Sequence, residues 1–174
     1  MKLIVWIDER PRQVLAALAA LCVGLLAFGM YLQHVEGLEP CPMCIVQRYA
    51  MVLGVLAALL GVVWPSRWLG SSLSAVGVVV LSGFGAFVAA RQSFLQWFPP
   101  EEASCGRDFY GMIETFPLQR VIPMIFKGSG DCSAIDWTFL TLTIANWSFL
   151  NFCLIGLVAA TVAWRGWGRR NHSA

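Results

Sequence analysis

The chain has 174 residues, 58% of them hydrophobic and 13% charged, with a formal net charge of +2 and a mean hydropathy of +0.68. That composition is too apolar for a water-soluble domain of this size, so the bilayer is the expected solvent. The basic residues are scattered and form no clustered stripe of the kind a phosphate backbone needs, which argues against nucleic acid as a partner.

A helix crosses hydrocarbon with roughly 20 mainly apolar residues. Four stretches approach that length, and they predict an all-α membrane protein, a four-transmembrane-helix bundle forming one integral domain over 1–174. The first, 14–32, carries no charge. It outruns a secretory h-region and ends in Tyr31-Leu32-Gln33-His34 without a small-x-small cleavage site, so it reads as a retained anchor. The second, 45–64, is interrupted only by Gln47 and Arg48 near its start. The third, 73–90, and the fourth, 147–164, are mainly apolar, and the polar residues they contain are uncharged. Gly83, Gly85 and Ala89, with Ala57 and Gly61, place small residues at helical spacing and predict close helix packing.

Charge sets the orientation. Lys2, Arg10, Arg12, Arg67, Arg165, Arg169 and Arg170 fall in the segments that share one side, which the positive-inside rule makes cytoplasmic. The opposite side receives the loops 33–44 and 91–146. Between Gln92 and Asn146 the basic residues are Arg107, Arg120 and Lys127, and eight acids lie on this outer side. Tryptophans agree: Trp64, Trp68, Trp164 and Trp167 sit at inner ends, and Trp97, Trp137 and Trp147 at outer ones. In the long outer loop Met112, Ile113, Phe116, Val121, Ile122, Ile125 and Phe126, broken by Pro117 and Pro123, predict a short helix on the membrane surface.

Six cysteines divide between two environments. Cys22 and Cys153 lie inside spans, where a free cysteine behaves as a small hydrophobe, and they are assigned no chemistry. Cys41 and Cys44, in Pro40-Cys41-Pro42-Met43-Cys44, form a C-x-x-C just before the second span. Cys44 therefore falls in the first turn of a helix, whose positive dipole end favours a thiolate. Arg48 follows one turn later on the same face and puts a permanent charge at the outer boundary. Its plain alternative is a snorkelling anchor, but a charged residue in a span is a functional candidate by default. Arg91 is read as an anchor. Cys105 and Cys132 lie in the long loop, Cys132 within Gly128-Ser129-Gly130-Asp131-Cys132, where glycines let the backbone swing. Four outer cysteines allow three pairings. The most economical joins Cys41 to Cys44 and Cys105 to Cys132, and the others stay open. Passive staples are the structural alternative, although a C-x-x-C at a helix start makes a strained, reducible link. A four-thiolate zinc site is another, but Cys105 and Cys132 are not the second close pair that such sites use.

With the C-x-x-C leading into Gln47-Arg48, four spans, and Gly130-Asp131-Cys132 followed by Trp137, Phe139 and Leu140, the chain resembles the DsbB family of disulfide bond formation proteins over nearly its whole length. The resemblance implies a protein-dithiol:quinone oxidoreductase of the bacterial inner membrane, with both termini cytoplasmic and both redox loops periplasmic. Its implied partner is the thioredoxin-like oxidase DsbA. DsbA would attack the Cys105–Cys132 disulfide through Cys105 and release Cys132, and the electrons would pass to Cys41–Cys44 and then to ubiquinone, or to menaquinone, with no metal. Cys41 would face the loop cysteines, Cys44 the quinone, and Arg48 would bind the quinone. Members of that family carry a histidine shortly before a Leu-Gln pair at the outer end of span three, where this chain has Gln92. An amide donates hydrogen bonds but does not titrate near neutral pH, so Gln92 is left out of the expected site residues.

Three other functions compete with this one. An outward-reducing thiol enzyme would need a cysteine pair reachable from inside, and neither intramembrane cysteine has a C-x-x-C partner. A vitamin-K-epoxide-reductase-like enzyme would carry its C-x-x-C later in the chain. A nonenzymatic scaffold with structural disulfides would leave its thiol state unchanged when quinone is added.

Overall fold

A computed structural model describes residues 10–65, 67–99, 130–133 and 135–172. Helices α1 (Pro11–His34), α2 (Pro42–Val63) and α3 (Arg67–Trp97) are followed by a single turn, α4 (Gly130–Ser133). Strands β1 (Thr138–Phe139) and β2 (Leu142–Thr143) then lead into the long helix α5 (Ile144–His172). Four of the helices, α1, α2, α3 and α5, are long and apolar enough to cross a membrane, and they match the four expected spans.

The ends of these helices follow from local chemistry. Pro11 and Pro42 stand in the first turns of α1 and α2, where a missing N–H costs nothing. Helix α2 stops at Val63 because Trp64 precedes Pro65 and takes the extended conformation (ψ 136°) that a following proline favours. At the start of α5 the Thr143 hydroxyl accepts from the backbone N–H of Asn146 at 3.3 Å, an N-cap.

Helix α3 packs along both α2 and α5, and α2 packs along α1, whereas α1 and α5 meet only sparsely. The bundle is therefore an open ring with a seam between α1 and α5. Its core joins Leu15, Leu18 and Cys22 of α1 to Ala50 and Ala58 of α2, Val78 and Ala89 of α3, and Phe152 and Ile155 of α5. Polar side chains are turned inward, as at Gln47, Ser71, Ser82 and Gln92, while large apolar ones face out, as at Val80 and Leu157, the latter 68% exposed. That distribution suits a hydrocarbon solvent. Arg12 donates to the carbonyls of Trp64 (2.5 Å) and Pro65 (3.1 Å), tying the beginning of α1 to the end of α2 on one side of the bundle.

Three expectations need correction. Helix α3 does not stop at Ala90 but runs to Trp97, so Gln92 and Gln96 lie on a helix and not in the loop expected at 91–146. The end of that loop contains a small antiparallel hairpin, with Thr138 opposite Thr143 and Phe139 opposite Leu142. Its turn puts Leu140 (φ 50°) and Thr141 (φ 66°) in the left-handed region, which neither residue type prefers, so no turn signature advertises it. The close-packing expectation holds at Gly61, where an added Cβ would come within 2.6 Å of the Ser74 Cβ, and at Gly85, which lies against the Phe152 ring, but Gly83 faces open space. The surface helix expected between Met112 and Phe126 lies outside the described residues.

Candidate active site

Cys41 is the N-cap of α2 (φ −65°, ψ 161°), and its sulfur accepts from the backbone N–H of Cys44 at 3.4 Å. Capping fixes the local geometry: with Pro42 at the first helical position, Cys44 enters the first turn and its thiol comes within 3.2 Å of Cys41 Sγ. Both are free thiols, and that separation is well beyond a covalent S–S bond of about 2.05 Å.

Cys132, on the α4 turn, is 1% exposed and packs into a small second core with Cys41, Met43, Val88 and Leu95. Its side chain hydrogen-bonds with Cys41. The Cys41 thiol is pushed well above the ordinary cysteine range, chiefly by that bond to Cys132, then by its bond to Cys44 and by burial. Cys41 is thus the middle member of three contiguous sulfurs.

Two buried amides complete the cluster. Gln92 Nε2 donates to Cys41 Sγ and to Cys44 Sγ, each at 3.3 Å, and Gln47 Nε2 donates to Gln92 Oε1 at 2.7 Å. Arg48 turns the other way: its guanidinium donates to Gln33 Oε1 (2.6 Å) and to the Gly29 carbonyl (3.1 Å) on α1.

Beside the sulfurs lies a cavity of about 610 Å³, walled by α1, α2, α3 and α5 and lined by Cys41, Cys44, Gln47, Arg48 and Gln92 among apolar residues such as Leu25, Leu26 and Met51. Aromatic side chains of its lining bridge the α1/α5 seam. Trp137 meets Phe28 of α1 edge-on (centroids 6.1 Å, 66°) and stacks on Phe139 (6.1 Å, 14°), whose carbonyl accepts from Trp147 Nε1 of α5 at 3.0 Å. A mostly apolar chamber with a few convergent donors fits a flat apolar ring bearing carbonyl oxygens.

The family model described as "Disulfide bond formation protein DsbB" matches residues 11–162. The chain belongs to the DsbB family. Similar proteins named "Disulfide bond formation protein B" include one from Polaromonas sp. (strain JS666 / ATCC BAA-500), 68% identical over 163 residues, covering 92% of this chain and 95% of the relative. One from Albidiferax ferrireducens is 61% identical over 166 residues (95% and 94% covered), and one from Azoarcus sp. (strain BH72) is 51% identical over 166 residues (94% and 97%). This DsbB member is a multi-pass membrane protein of disulfide bond formation and a disulfide oxidoreductase.

Of the site residues expected for a DsbB chain, the fold brings Cys41, Cys44 and Cys132 together and puts Arg48 on the same cavity. Cys105 lies outside the described residues. Arg48 bonds α1 and not Cys44, and shares only the cavity wall with that thiol. Cys132, expected on a swinging loop, is docked in the mouth of the bundle. Gln47, not among the expected site residues, and Gln92, left out of them because an amide does not titrate, are 5% and 4% exposed and lie in the cluster. Gln47 carried a signal: an amide inside a span, three residues beyond Cys44, needs a buried partner. Arg91, expected as an anchor, stands over the Phe94 ring at 5.5 Å.

Proposed function

We propose that this protein reoxidises a periplasmic thioredoxin-like dithiol oxidase, DsbA, and delivers the electrons to a membrane quinone, ubiquinone or menaquinone. It would do so from the bacterial inner membrane, with both redox loops periplasmic and both termini cytoplasmic. The observation that carries the reading is the position of Cys41, in contact with Cys132 on one side and Cys44 on the other, next to a chamber lined mainly by apolar side chains.

The chemistry is thiol exchange in two stages. The partner's thiolate attacks Cys105 of the Cys105–Cys132 disulfide and Cys132 leaves. The partner's second thiol then resolves the mixed disulfide, so the partner ends oxidised and the loop pair reduced by two electrons and two protons. Cys132, against Cys41, is positioned to attack the Cys41–Cys44 disulfide at Cys41, with Cys44 as the leaving group, and the Cys105 thiolate then displaces Cys41 from Cys132, which restores the loop disulfide and leaves the inner pair reduced. A low thiolate cost suits the leaving sulfur, and Cys44 leaves from the first helical turn with the Gln92 amide nitrogen at 3.3 Å. Cys41, held protonated by its neighbours, keeps the second proton of the pair. A bound quinone supplies a two-electron, two-proton acceptor. Arg48, held by Gly29 and Gln33, offers fixed positive charge to its oxygen, and Leu25, Leu26 and Met51 exclude water from its ring.

Mixing purified protein with the reduced partner and ubiquinone and following quinone absorbance tests this reading. Cys44→Ser is expected to abolish quinone-coupled turnover. Cys105→Ser is expected to block entry of the partner while an inner pair reduced by dithiothreitol still reduces quinone. Full activity in both variants would eliminate the relay.

A further inference from the structure

A primary amide has two N–H donors on one end and an acceptor oxygen on the other, in nearly the same shape, so its orientation must be set by its neighbours. Gln92 places its nitrogen 3.3 Å from both Cys41 Sγ and Cys44 Sγ. The opposite end of the same amide receives the Gln47 N–H at 2.7 Å, and its oxygen is also 3.7 Å from Cys44 Sγ, farther than the nitrogen. Both side chains are buried, so water does not compete for these groups. Turned over, Gln92 would aim its oxygen at the sulfurs, where a thiolate would be repelled.

We propose that Gln92 clamps both sulfurs of the pair as a hydrogen-bond donor, and that Gln47 is the positioning residue that keeps its nitrogen turned toward them. The proposal rests on reading Cys41 and Cys44 as the redox pair. A thiolate accepts hydrogen bonds more strongly than a thiol or a disulfide sulfur, so the clamp tightens as negative charge develops on the pair. Gln92 touches the reacting sulfurs, whereas Gln47 acts only through it. Because neither amide titrates, the clamp works alike across the neutral pH range, unlike an imidazole at the same position. Among the described residues, the other titratable or charged groups near the pair are Cys132 from α4 and, on the walls of the shared cavity, Arg48 from α2, Glu39 and Asp136.

The test uses the full-length protein, reduced, in detergent and without quinone or partner. Alkylation by iodoacetamide is followed from about pH 5 to about pH 10, with the rate at Cys44 read by mass spectrometry. Gln92→Met, which keeps the bulk and removes the donors, is expected to move the midpoint of alkylation up by about one pH unit, an about tenfold drop in rate at neutral pH. Gln47→Met should move it in the same direction by less. In the double variant, Gln47→Met should add nothing, because its effect passes through Gln92. Gln92→Glu, which cannot donate when ionised, should move the midpoint at least as far as Gln92→Met, and retained helical circular dichroism separates this from failed folding. An unchanged midpoint in Gln92→Met, or a full Gln47→Met effect in the Gln92→Met background, would overturn the proposal. A shifted midpoint in a protein that fails to reduce quinone would leave the clamp standing and sink the relay instead.

Discussion

Cys41 holds its proton between two other sulfurs, and that makes its titration a reporter of the cluster. Its thiol is raised first by the hydrogen bond with Cys132, so Cys132→Ala is expected to bring it back toward the ordinary range and to speed its alkylation at neutral pH. A slower or unchanged rate, read by peptide mass spectrometry, would mean that Cys132 does not control this proton. The same shift has a consequence for stability. A thiol raised by folding contributes its stabilisation below the ordinary thiol value, and this is lost as pH rises through and beyond that value. The reduced protein should therefore melt at a lower temperature near pH 10 than near pH 7, with a smaller difference in Cys41→Ala. Arg48 illustrates a second residue-scale point, since one planar guanidinium reaches both Gln33 Oε1 and the Gly29 carbonyl. Lysine keeps the charge but not the fork, so Arg48→Lys is expected to raise the KM for quinone about tenfold, the equivalent of one lost charged hydrogen bond. Equal KM values for the two proteins would show that charge alone suffices.

The elements read well from hydropathy in their middles and poorly at their ends. Helix α3 continues seven residues past Ala90 because polar residues at its outer end find partners inside the bundle: Gln92 meets the sulfurs, and Gln96 accepts from the Thr143 hydroxyl at 2.7 Å. A hydropathy reading treats both as loop, since partners on other elements are invisible to it. Glycine spacing likewise predicts a small-residue face without saying which glycines meet a neighbour. Gly85 lies against the Phe152 ring and Gly83 faces open space, two positions in a five-position set with opposite roles. Gly85→Leu is expected to force α3 and α5 apart and to destabilise the bundle by about 1–3 kcal/mol, whereas Gly83→Leu should be tolerated. Thermal unfolding in micelles, followed by helical circular dichroism, distinguishes them, and matching losses in both would discredit the assigned contact.

At the scale of the molecule, charge and topology determine which chemistry meets which phase. The proposed orientation, with the Arg12 end of the bundle inside and the Cys41 end outside, predicts that a membrane-impermeant maleimide added to intact spheroplasts labels Glu36→Cys but not Gly168→Cys, in a background where the six native cysteines are serine. Labelling of Gly168→Cys alone would invert the topology. Four spans, the C-x-x-C at the mouth of α2 and the family were all legible in the chain, because each rests on local composition or spacing that a lipid solvent makes decisive. Only the tertiary structure decided that Cys132 docks on Cys41, that Arg48 reaches back to α1, that the α1/α5 seam is strapped by Trp137, and that two glutamines govern the sulfurs. Those are contacts between side chains 15 to 51 residues apart or more, and they exist because a buried polar group in hydrocarbon must find its partner wherever the packing of the helices happens to place one.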